Sequence, residues 1–296
     1  MKEGIAKLKN ALASAEYILI GAGAGLSAAA GYDYGGARFL KYFSDFHERF
    51  GIEDIYTGGF YPFPRRGLFW AWWSRSIYIN RYAPMLEGDV YPNLLRLAAG
   101  RDYFVLTTNV DHAFQRTGFD KERLFYTQGD FGLFQSSRPA GASAGRTYDN
   151  EEQVRAMLRA QGFTFAPNGA LLLPEDGAPL MEVPAHLIPY CPDDGTEMTT
   201  NLRADASFVE DAGWHAAAAR YEDWLAHSEG RRMLLLELGV GANTPGIIKY
   251  PFWRMTAARA DVTLAAINLG AYVPDEIRGR SIALDGHIEE VLRELL

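Results

Sequence analysis

Residues 17–31, which read YILIGAGAGLSAAAG, constrain the fold of this chain more than any other segment. A continuous apolar run ends at Gly21, and glycines recur at alternate positions up to Gly25 before a stretch of small residues. An apolar run bounded by glycine predicts a buried strand. A strand that leads through glycines into a helix is typical of phosphate-binding turns in dinucleotide-binding folds. A tight, closely packed turn without a ligand fits the motif about equally well.

Composition narrows the class of protein. The chain has 296 residues, 48% of them hydrophobic, and a net charge of -8. This balance argues against nucleic acid as a partner, because duplex binders gain affinity by neutralising phosphates. The single cysteine, Cys191, excludes a disulfide framework and a multi-cysteine metal cage, so we expect no metal and a cytoplasmic location. Glu16 interrupts the N-terminal apolar segment and no apolar run reaches the roughly 18 residues of a membrane span, so we expect neither a signal peptide nor a membrane anchor.

Apolar periodicity predicts strands that alternate with helices. Strands are expected at residues 16–21, 103–108, 124–127, 233–238 and 262–268, and helices at 4–14, 150–161, 214–226 and 288–296, with further helices opening at Ser27 and Pro245. Asn150 with Gln153 matches a capping box, and Thr244 before Pro245 matches a helix cap. The alternation predicts an α/β fold with a doubly wound, Rossmann-like parallel sheet.

Two segments interrupt this alternation, an aromatic one and one rich in loops and short strands. The expected division is a Rossmann-like domain in three pieces, an aromatic helical insertion and a small insertion, at residues 1–38, 92–135, 214–296, 39–91 and 136–213 respectively. The two insertions are expected to form one smaller domain. In the aromatic segment, residues 60–63 with Arg65 and Arg66 fit a mobile lid hinged at the Gly58-Gly59 pair, or an ordinary surface loop.

A second motif, TTNVD at residues 107–111, follows the second predicted strand. Ligands of open parallel sheets lie at the carboxyl ends of the strands, where Asn109 and Asp111 can aim an amide and a carboxylate into one crevice. Either residue alone also suits a helix N-cap, although the pair suits it less well.

Small and amide residues also follow the other predicted strands, in YTQGD at 126–130, LGVGANTP at 238–245 and INLG at 267–270. Four consecutive strand ends of this kind favour an extended ligand across the carboxyl edge over four separate turns. The acidic residue that dehydrogenases carry about 20 positions after the glycine motif is missing, so hydride transfer is disfavoured.

Together these motifs resemble those of the sirtuins over nearly the whole chain. GAGLS at 23–27 resembles the family's cofactor loop, TTNVD its Asn–Asp motif, GVG at 239–241 its Gly-Thr-Ser segment, and IN at 267–268 its Ile-Asn pair. The resemblance implies NAD as the cofactor. The implied contacts are Gly23, Ala24, Gly25, Ser27, Asp33, Arg38, Gly239, Val240, Gly241, Asn268 and Leu269. Arg38 is a displaced counterpart of the arginine in the family's Pro-Asp-Phe-Arg segment.

The departures from the family pattern bear on the reaction. Gln128 stands where sirtuin deacetylases have a general-base histidine, and Gly270 replaces an acidic residue. The four zinc cysteines are absent, and YCPDDG at residues 190–195 resembles one worn knuckle with Asp194 in place of a second cysteine.

The glutamine, the aromatic block and the segment around residues 201–203 resemble one subgroup, the macrodomain-linked (class M) sirtuins. That resemblance implies protein ADP-ribosylation, with a lipoylated carrier protein of the glycine-cleavage type as the acceptor and a partner macrodomain that reverses the modification.

The resemblance also implies roles for the site residues. Asp111 would hold the nicotinamide carboxamide or the ribose, and Asn109 would order the ribose and the attacking group. Gln128 cannot accept a proton near neutral pH, and loss of a general base costs about 10² to 10⁴ in rate. Transfer of ADP-ribose to a protein nucleophile is therefore favoured over deacylation.

Three functions stay open at this point: an NAD-dependent ADP-ribosyltransferase, a deacylase or NAD glycohydrolase, and a module that binds NAD or ADP-ribose without catalysis. The six histidines show no metal-ligand spacing, and we interpret His112 as a surface or supporting residue. Ser27 lacks the context of a hydrolase nucleophile, so a capping or phosphate-contact role is favoured.

Overall fold

The computed structural model describes residues 2–175, 177–242 and 245–296. The helices are α1 (Lys2–Ser14), α2 (Ala24–Ala29), α3 (Gly36–Phe50), α4 (Ile55–Gly59), α5 (Arg66–Ile77), α6 (Val90–Ala98), α7 (Ala113–Thr117), α8 (Glu151–Ala160), α9 (Ala212–His227), α10 (Lys249–Ala258) and α11 (Ile288–Leu295). The strands are β1 (Tyr17–Ala22), β2 (Asp102–Thr107), β3 (Leu124–Tyr126), β4 (Gly129–Ser136), β5 (Thr147–Asp149), β6 (Thr164–Phe165), β7 (Leu171–Leu172), β8 (Met198–Leu202), β9 (Met233–Leu238), β10 (Val262–Asn268) and β11 (Ser281–Asp285). One turn of π-helix, Tyr78–Tyr82, continues α5.

Six parallel strands form the large sheet in the order β11-β10-β9-β1-β2-β3. The first half of the chain extends from β1 to one side and the last half to the other, so the strand order reverses between β1 and β9. Crevices at such reversals are the usual ligand sites of doubly wound sheets. The predicted fold class is confirmed, and the carboxyl ends of the five predicted strands share one edge.

Alternate residues of β1 explain why its sequence is apolar throughout. Ile18 and Ile20 pack with α1, α6 and α11 on one face of the sheet, whereas Leu19 packs with α9 and α10 on the other. A parallel strand covered on both faces has no solvent side and therefore carries no polar alternation.

A second unit is built from both insertions. β4 pairs antiparallel with β5 and β8, and the two insertions contribute to one aromatic core in which the Phe43 and Trp72 ring centroids lie 4.4 Å apart. The domain limits remain a prediction. Because β4 belongs to the small sheet, we place the start of the second insertion before Gly129 rather than at residue 136.

Several local predictions were wrong. The Asn150 side chain caps no helix; it donates to the Phe131 carbonyl oxygen at 2.9 Å and accepts from the Tyr82 hydroxyl at 2.7 Å, because this buried amide ties β4 to the π-helical turn. α2 begins at Ala24 with Gly23 as its N-cap, so Ser27 lies inside that helix. α10 begins at Lys249, four residues after Pro245, and the predicted cap at Thr244 lies outside the described residues.

The proposed hinge of the aromatic segment also has a packing role. A Cβ atom on Gly58 would lie 2.0 Å from the Trp72 ring, so this glycine is needed for close packing. Arg65 pairs with Glu182 and Arg66 with Glu197, which ties the segment to the second insertion.

The glycine loop after β1 packs directly against the loop after β9. The Gly25 N–H donates to the Gly239 carbonyl oxygen at 2.9 Å, and the Gly23 N–H donates to the Leu238 carbonyl oxygen at 3.0 Å. A Cβ atom on Gly25 would lie 2.7 Å from the Gly239 Cα atom. Gly239 has φ of +61°, and a Cβ atom there would lie 2.3 Å from the Leu26 nitrogen. Close packing of backbone on backbone is therefore one reason for the glycines.

This contact predicts a large loss of stability for Gly239→Ala. A left-handed alanine costs about 1–2 kcal/mol, and displacing a packed backbone adds about 1–3 kcal/mol. Gly230→Ala is the matched control, since Gly230 has φ of +73° and open space around its Cα atom. Urea unfolding should show a clearly larger loss of unfolding free energy for Gly239→Ala. Equal losses of unfolding free energy in the two variants would mean that the two loops can move apart at little cost.

Candidate active site

The two sequence motifs meet in one buried hydrogen-bond network. The Ser27 hydroxyl donates to Asp111 Oδ2 at 2.6 Å. Asn109 Nδ2 donates to the Ser27 oxygen and to the Gly23 carbonyl oxygen, both at 3.0 Å. The Tyr91 hydroxyl, from α6, lies 3.0 Å from the same serine oxygen. Ser27 therefore joins the glycine loop to the Asn–Asp motif. It is buried and caps no helix, and its contact with a cofactor remains a prediction.

Hydrogen bonds at and after the end of β2 hold the network in place. The Thr107 hydroxyl donates to the Ala22 carbonyl oxygen at 2.9 Å and accepts from the Asn109 N–H at 3.0 Å. The Ala113 N–H donates to Asp111 Oδ1 at 2.9 Å. Both oxygens of Asp111 thus accept a hydrogen bond from the protein.

Burial dominates the electrostatics of the network. It raises the pKa of Asp111 above its ordinary value, although the hydrogen bonds from Ser27 and Ala113 oppose the shift. Burial, with the Asp111 charge, also raises the pKa of Tyr91 well above its ordinary value and that of Tyr34 to about 12. Both phenols therefore stay protonated near neutral pH.

Gln128 follows β3 at the same edge of the sheet. Its backbone carbonyl oxygen accepts from the Arg203 N–H at 3.0 Å, whereas its side-chain amide makes no hydrogen bond to residues 2–175, 177–242 or 245–296. A half-buried amide without a protein partner is available to a ligand.

The predicted cofactor contacts after β9 and β10 line the same edge. Asn268 Nδ2 donates to the Val240 carbonyl oxygen at 3.5 Å, which links the two strand ends. Gly239 and Val240 are buried behind the glycine loop, whereas Ala24, Gly241 and Leu269 are exposed. A ligand can therefore reach the backbone at the small residues Ala24 and Gly241.

The Arg38 guanidinium is more restrained than a free cofactor ligand. It donates to the Ile79 carbonyl oxygen and to Asn80 Oδ1, both at 2.9 Å, and to the Asp33 carbonyl oxygen at 3.2 Å. Burial lowers the pKa of Arg38. Arg38 and Asp33 thus form one pair that is tied to the π-helical turn, and their contact with a cofactor remains a prediction.

The sequence analysis missed a histidine–carboxylate pair beside this network. His112 is half-buried rather than at the surface, and its Nε2 atom hydrogen-bonds to Asp130 Oδ2. Asp130 Oδ1 accepts from the Gly132 N–H at 2.6 Å and lies 3.6 Å from Arg81 Nε. The available signal was adjacency in sequence, since His112 directly follows Asp111 and Asp130 lies two residues after Gln128.

The segment that resembles a zinc knuckle, residues 190–195, is held by hydrogen bonds. The Tyr148 hydroxyl donates to Asp193 Oδ2 at 2.6 Å and lies 3.1 Å from the Cys191 sulfur, which is buried. Across the part of the chain that the structure describes, no three His, Cys, Asp or Glu side chains are grouped so that they could hold a metal ion. Within the same residues, no helix combines the length and the apolar character needed to cross a bilayer.

Comparisons with known proteins agree with this geometry. A protein ADP-ribosyltransferase of Staphylococcus aureus is 34% identical over 291 residues, which cover 98% of this chain and 86% of that protein. A probable bifunctional ADP-ribose hydrolase/ADP-ribosyltransferase of Fusarium oxysporum is 30% identical over 96% of this chain but only 46% of that protein. No family model matches the chain.

Solved structures show the fold. A Sir2 bound to an acetylated peptide superposes with a TM-score of 0.58 at 17% identity, over 98% of this chain and 96% of that one. A complex of a Sir2 homologue with NAD gives 0.57 at 14% identity, over 98% and 91%. The chain belongs to the protein ADP-ribosyltransferases and has the fold of the Sir2 structures, so the predicted resemblance is confirmed.

The buried carboxylate predicts a pH-dependent stability. Because the folded-state pKa of Asp111 is raised, the folded protein binds this proton more tightly than the unfolded chain, whose aspartate pKa is about 3.9. The Asp111 contribution to the unfolding free energy should therefore fall as pH rises from about 4 through the raised pKa. We expect the unfolding free energy of wild type minus that of Asp111→Asn to decrease over this range in urea titrations.

Asp223→Asn, at an exposed position on α9, controls for the loss of one charge. Parallel pH profiles for wild type and Asp111→Asn would contradict the raised pKa.

Proposed function

We propose that this protein transfers ADP-ribose from NAD to a protein acceptor and releases nicotinamide. The observation that carries the proposal is an intact Asn109–Ser27–Asp111 network together with the Gln128 amide at the end of β3, which has no hydrogen-bond partner among the described residues. In deacetylases of the resembled family a histidine base acts from that position. An amide can orient a ligand there but cannot take its proton.

The residues at the edge fit NAD as the cosubstrate. The glycine loop offers small, exposed backbone at Ala24, and Gly241 does the same after β9. NAD supplies an activated bond between ribose C1′ and nicotinamide, whose cleavage develops positive charge on the ribose. Asn109 would orient the ribose, and fixed dipoles of this kind stabilise developing charge without reorganisation.

Asp111 would act mainly through its charge. Both of its oxygens already accept hydrogen bonds, from Ser27 and from Ala113. We propose that this carboxylate locks the loop after β2 in place and sets a negative potential behind the ribose site. A direct contact with the carboxamide would use the remaining lone pairs of the same oxygens.

The acceptor follows from the resemblance to class M sirtuins. We propose a lipoylated carrier protein as the substrate and a macrodomain hydrolase as the partner that removes the modification. The name of the Fusarium relative, which pairs an ADP-ribose hydrolase with an ADP-ribosyltransferase, supports such a partner. We also propose a cytoplasmic location, on the ground of the single cysteine.

The test measures nicotinamide release from NAD by the purified protein, alone and with a lipoylated carrier protein, followed by the intact mass of each protein. A gain of one ADP-ribose on the carrier would support transfer. Nicotinamide release without a mass shift would identify an NAD glycohydrolase, and release that depends on an acylated peptide would identify a deacylase. NAD binding without release would identify a non-catalytic module.

Asn109→Ala should reduce transfer by at least about 10²-fold, because misplacing reacting groups by an ångström costs this much. The variant removes the donor to Ser27 and Gly23 while most of the core is untouched, so the protein should stay folded by circular dichroism. Asn168→Ala, at an exposed turn, is the matched control. Full transfer activity in a folded Asn109→Ala protein would refute the site assignment.

Gln128→His should leave NAD affinity within about threefold of wild type, as isothermal titration calorimetry would show. The Gln128 side chain has no hydrogen bond in the described part of the chain, so its replacement breaks none there. A tenfold weaker affinity, about 1.4 kcal/mol, would instead reveal a direct contact between the glutamine and NAD.

A further inference from the structure

We propose that His112, oriented by Asp130, is the base that accepts the proton of the acceptor nucleophile during ADP-ribose transfer. This inference rests on the function proposed above and adds a residue to it. Gln128, after β3, cannot accept a proton, and His112 on the loop after β2 takes that role.

The backbone at His112 is unusual. Among the described residues, His112 is the one residue other than glycine with a left-handed backbone, at φ of 61°. A non-glycine residue in this region costs of order 1–3 kcal/mol and persists where the surroundings enforce it, commonly at functional sites. Here the left-handed turn, directly after Asp111, carries the imidazole to Asp130.

Asp130 is built to orient the imidazole. Its side chain is 6% exposed, and its Oδ1 atom is fixed by the Gly132 N–H at 2.6 Å and lies 3.6 Å from Arg81 Nε. Its Oδ2 atom accepts a hydrogen bond from His112 Nε2. The Tyr126 ring, with its centroid 5.7 Å from that of the imidazole, borders the histidine from β3. A base held by a carboxylate at one nitrogen is the arrangement that activates nucleophiles in many enzymes.

The second nitrogen of His112 is free to react. Nδ1 has no hydrogen-bond partner within the described residues, and the side chain keeps 19% of its surface exposed. The pair also joins the two segments that carry the proposed site, because His112 follows Asp111 and Asp130 follows Gln128 by two residues. Exposed Nδ1 can therefore meet a nucleophile that reaches the carboxyl edge.

The proposed step balances without a further reagent. The bond between ribose C1′ and the nicotinamide nitrogen breaks, and its electron pair leaves with nicotinamide. The acceptor atom, an N–H, O–H or S–H group, forms a bond to C1′, and its proton passes to His112 Nδ1. The Asp130 carboxylate stabilises the resulting imidazolium, which later returns the proton to water.

A purely structural role makes different predictions. His112 also links the loop after β2 to β4, so it could serve only as a tie between the two units. Loss of such a tie would lower stability and disturb the site as a whole, and an added small base would not restore activity. Loss of a base removes the proton acceptor alone, which free imidazole can replace.

His112→Gly is the informative variant, because glycine suits the left-handed backbone and leaves space where the imidazole was. With NAD and the lipoylated carrier protein, we expect transfer to fall about 10² to 10⁴-fold. NAD affinity should stay within threefold of wild type. Exchange of labelled nicotinamide into NAD should continue, since it needs no proton acceptor. Added imidazole should recover transfer at least tenfold, while leaving the wild-type rate unchanged.

His112→Asn is the matched control, since asparagine also tolerates the left-handed backbone and fills part of the imidazole space without accepting a proton. It should be as slow as His112→Gly but should not respond to imidazole. Transfer at the wild-type rate in either variant overturns the proposal. A loss of transfer that imidazole does not recover in the glycine variant also overturns it, in favour of the structural tie.

Failure of the proposed function is distinguishable in the same assay. If wild type leaves the carrier unmodified but hydrolyses NAD, transfer to this carrier is refuted. His112 is then tested on hydrolysis, because attacking water must also lose a proton. Slow hydrolysis recovered by imidazole supports the base, and unchanged hydrolysis overturns it. A wild-type protein that neither exchanges nicotinamide nor consumes NAD overturns both proposals.

Discussion

The site depends on a backbone-to-backbone contact between the loops after β1 and β9. The Gly25 N–H donates to the Gly239 carbonyl oxygen, so this amide is committed to the protein rather than to a phosphate. The contact seats α2 on the loop after β9, and α2 carries Ser27, through which Asn109 and Asp111 are positioned. The glycines therefore act first through packing. Any phosphate-binding role falls to the amides of the loop that this contact leaves exposed.

Hydrogen bonds hold the segment of the smaller unit that resembles a zinc knuckle, residues 190–195. The Tyr148 and Arg146 side chains donate to Asp193 there. Donors from Tyr148 and Ser143 hold the pKa values of Asp193 and Asp194, respectively, below their ordinary range. These groups are exposed and contribute little to stability. Apolar burial in the smaller unit lies instead in the aromatic core around Trp72, to which both insertions contribute.

The sequence predicted five of the six strands of the large sheet, because their buried segments read as short apolar runs that end at glycine or amide residues. It missed the edge strand β11, in which Leu284 is the one buried residue. The local predictions were wrong where a side chain forms a hydrogen bond with a residue distant in sequence. Asn150 looked like a cap but bonds to Phe131, and Ser27 looked like a helix start but bonds to Asp111. The His112–Asp130 pair was hidden for the same reason, since it depends on a left-handed backbone that no local pattern marks.

Asp111 and Asp130 are both buried, but they bond to different groups. Asp111 is enclosed and its two oxygens accept from Ser27 and Ala113, so it is fixed in place. Asp130 instead gives one oxygen to the imidazole of His112. A base on the loop after β2 serves an incoming acceptor, whereas deacylation requires a base at the ribose hydroxyl, from the position that Gln128 occupies. In the proposed mechanism, moving the proton acceptor from one loop to the other changes which nucleophile can be activated, while the Asn109–Ser27–Asp111 network stays the same.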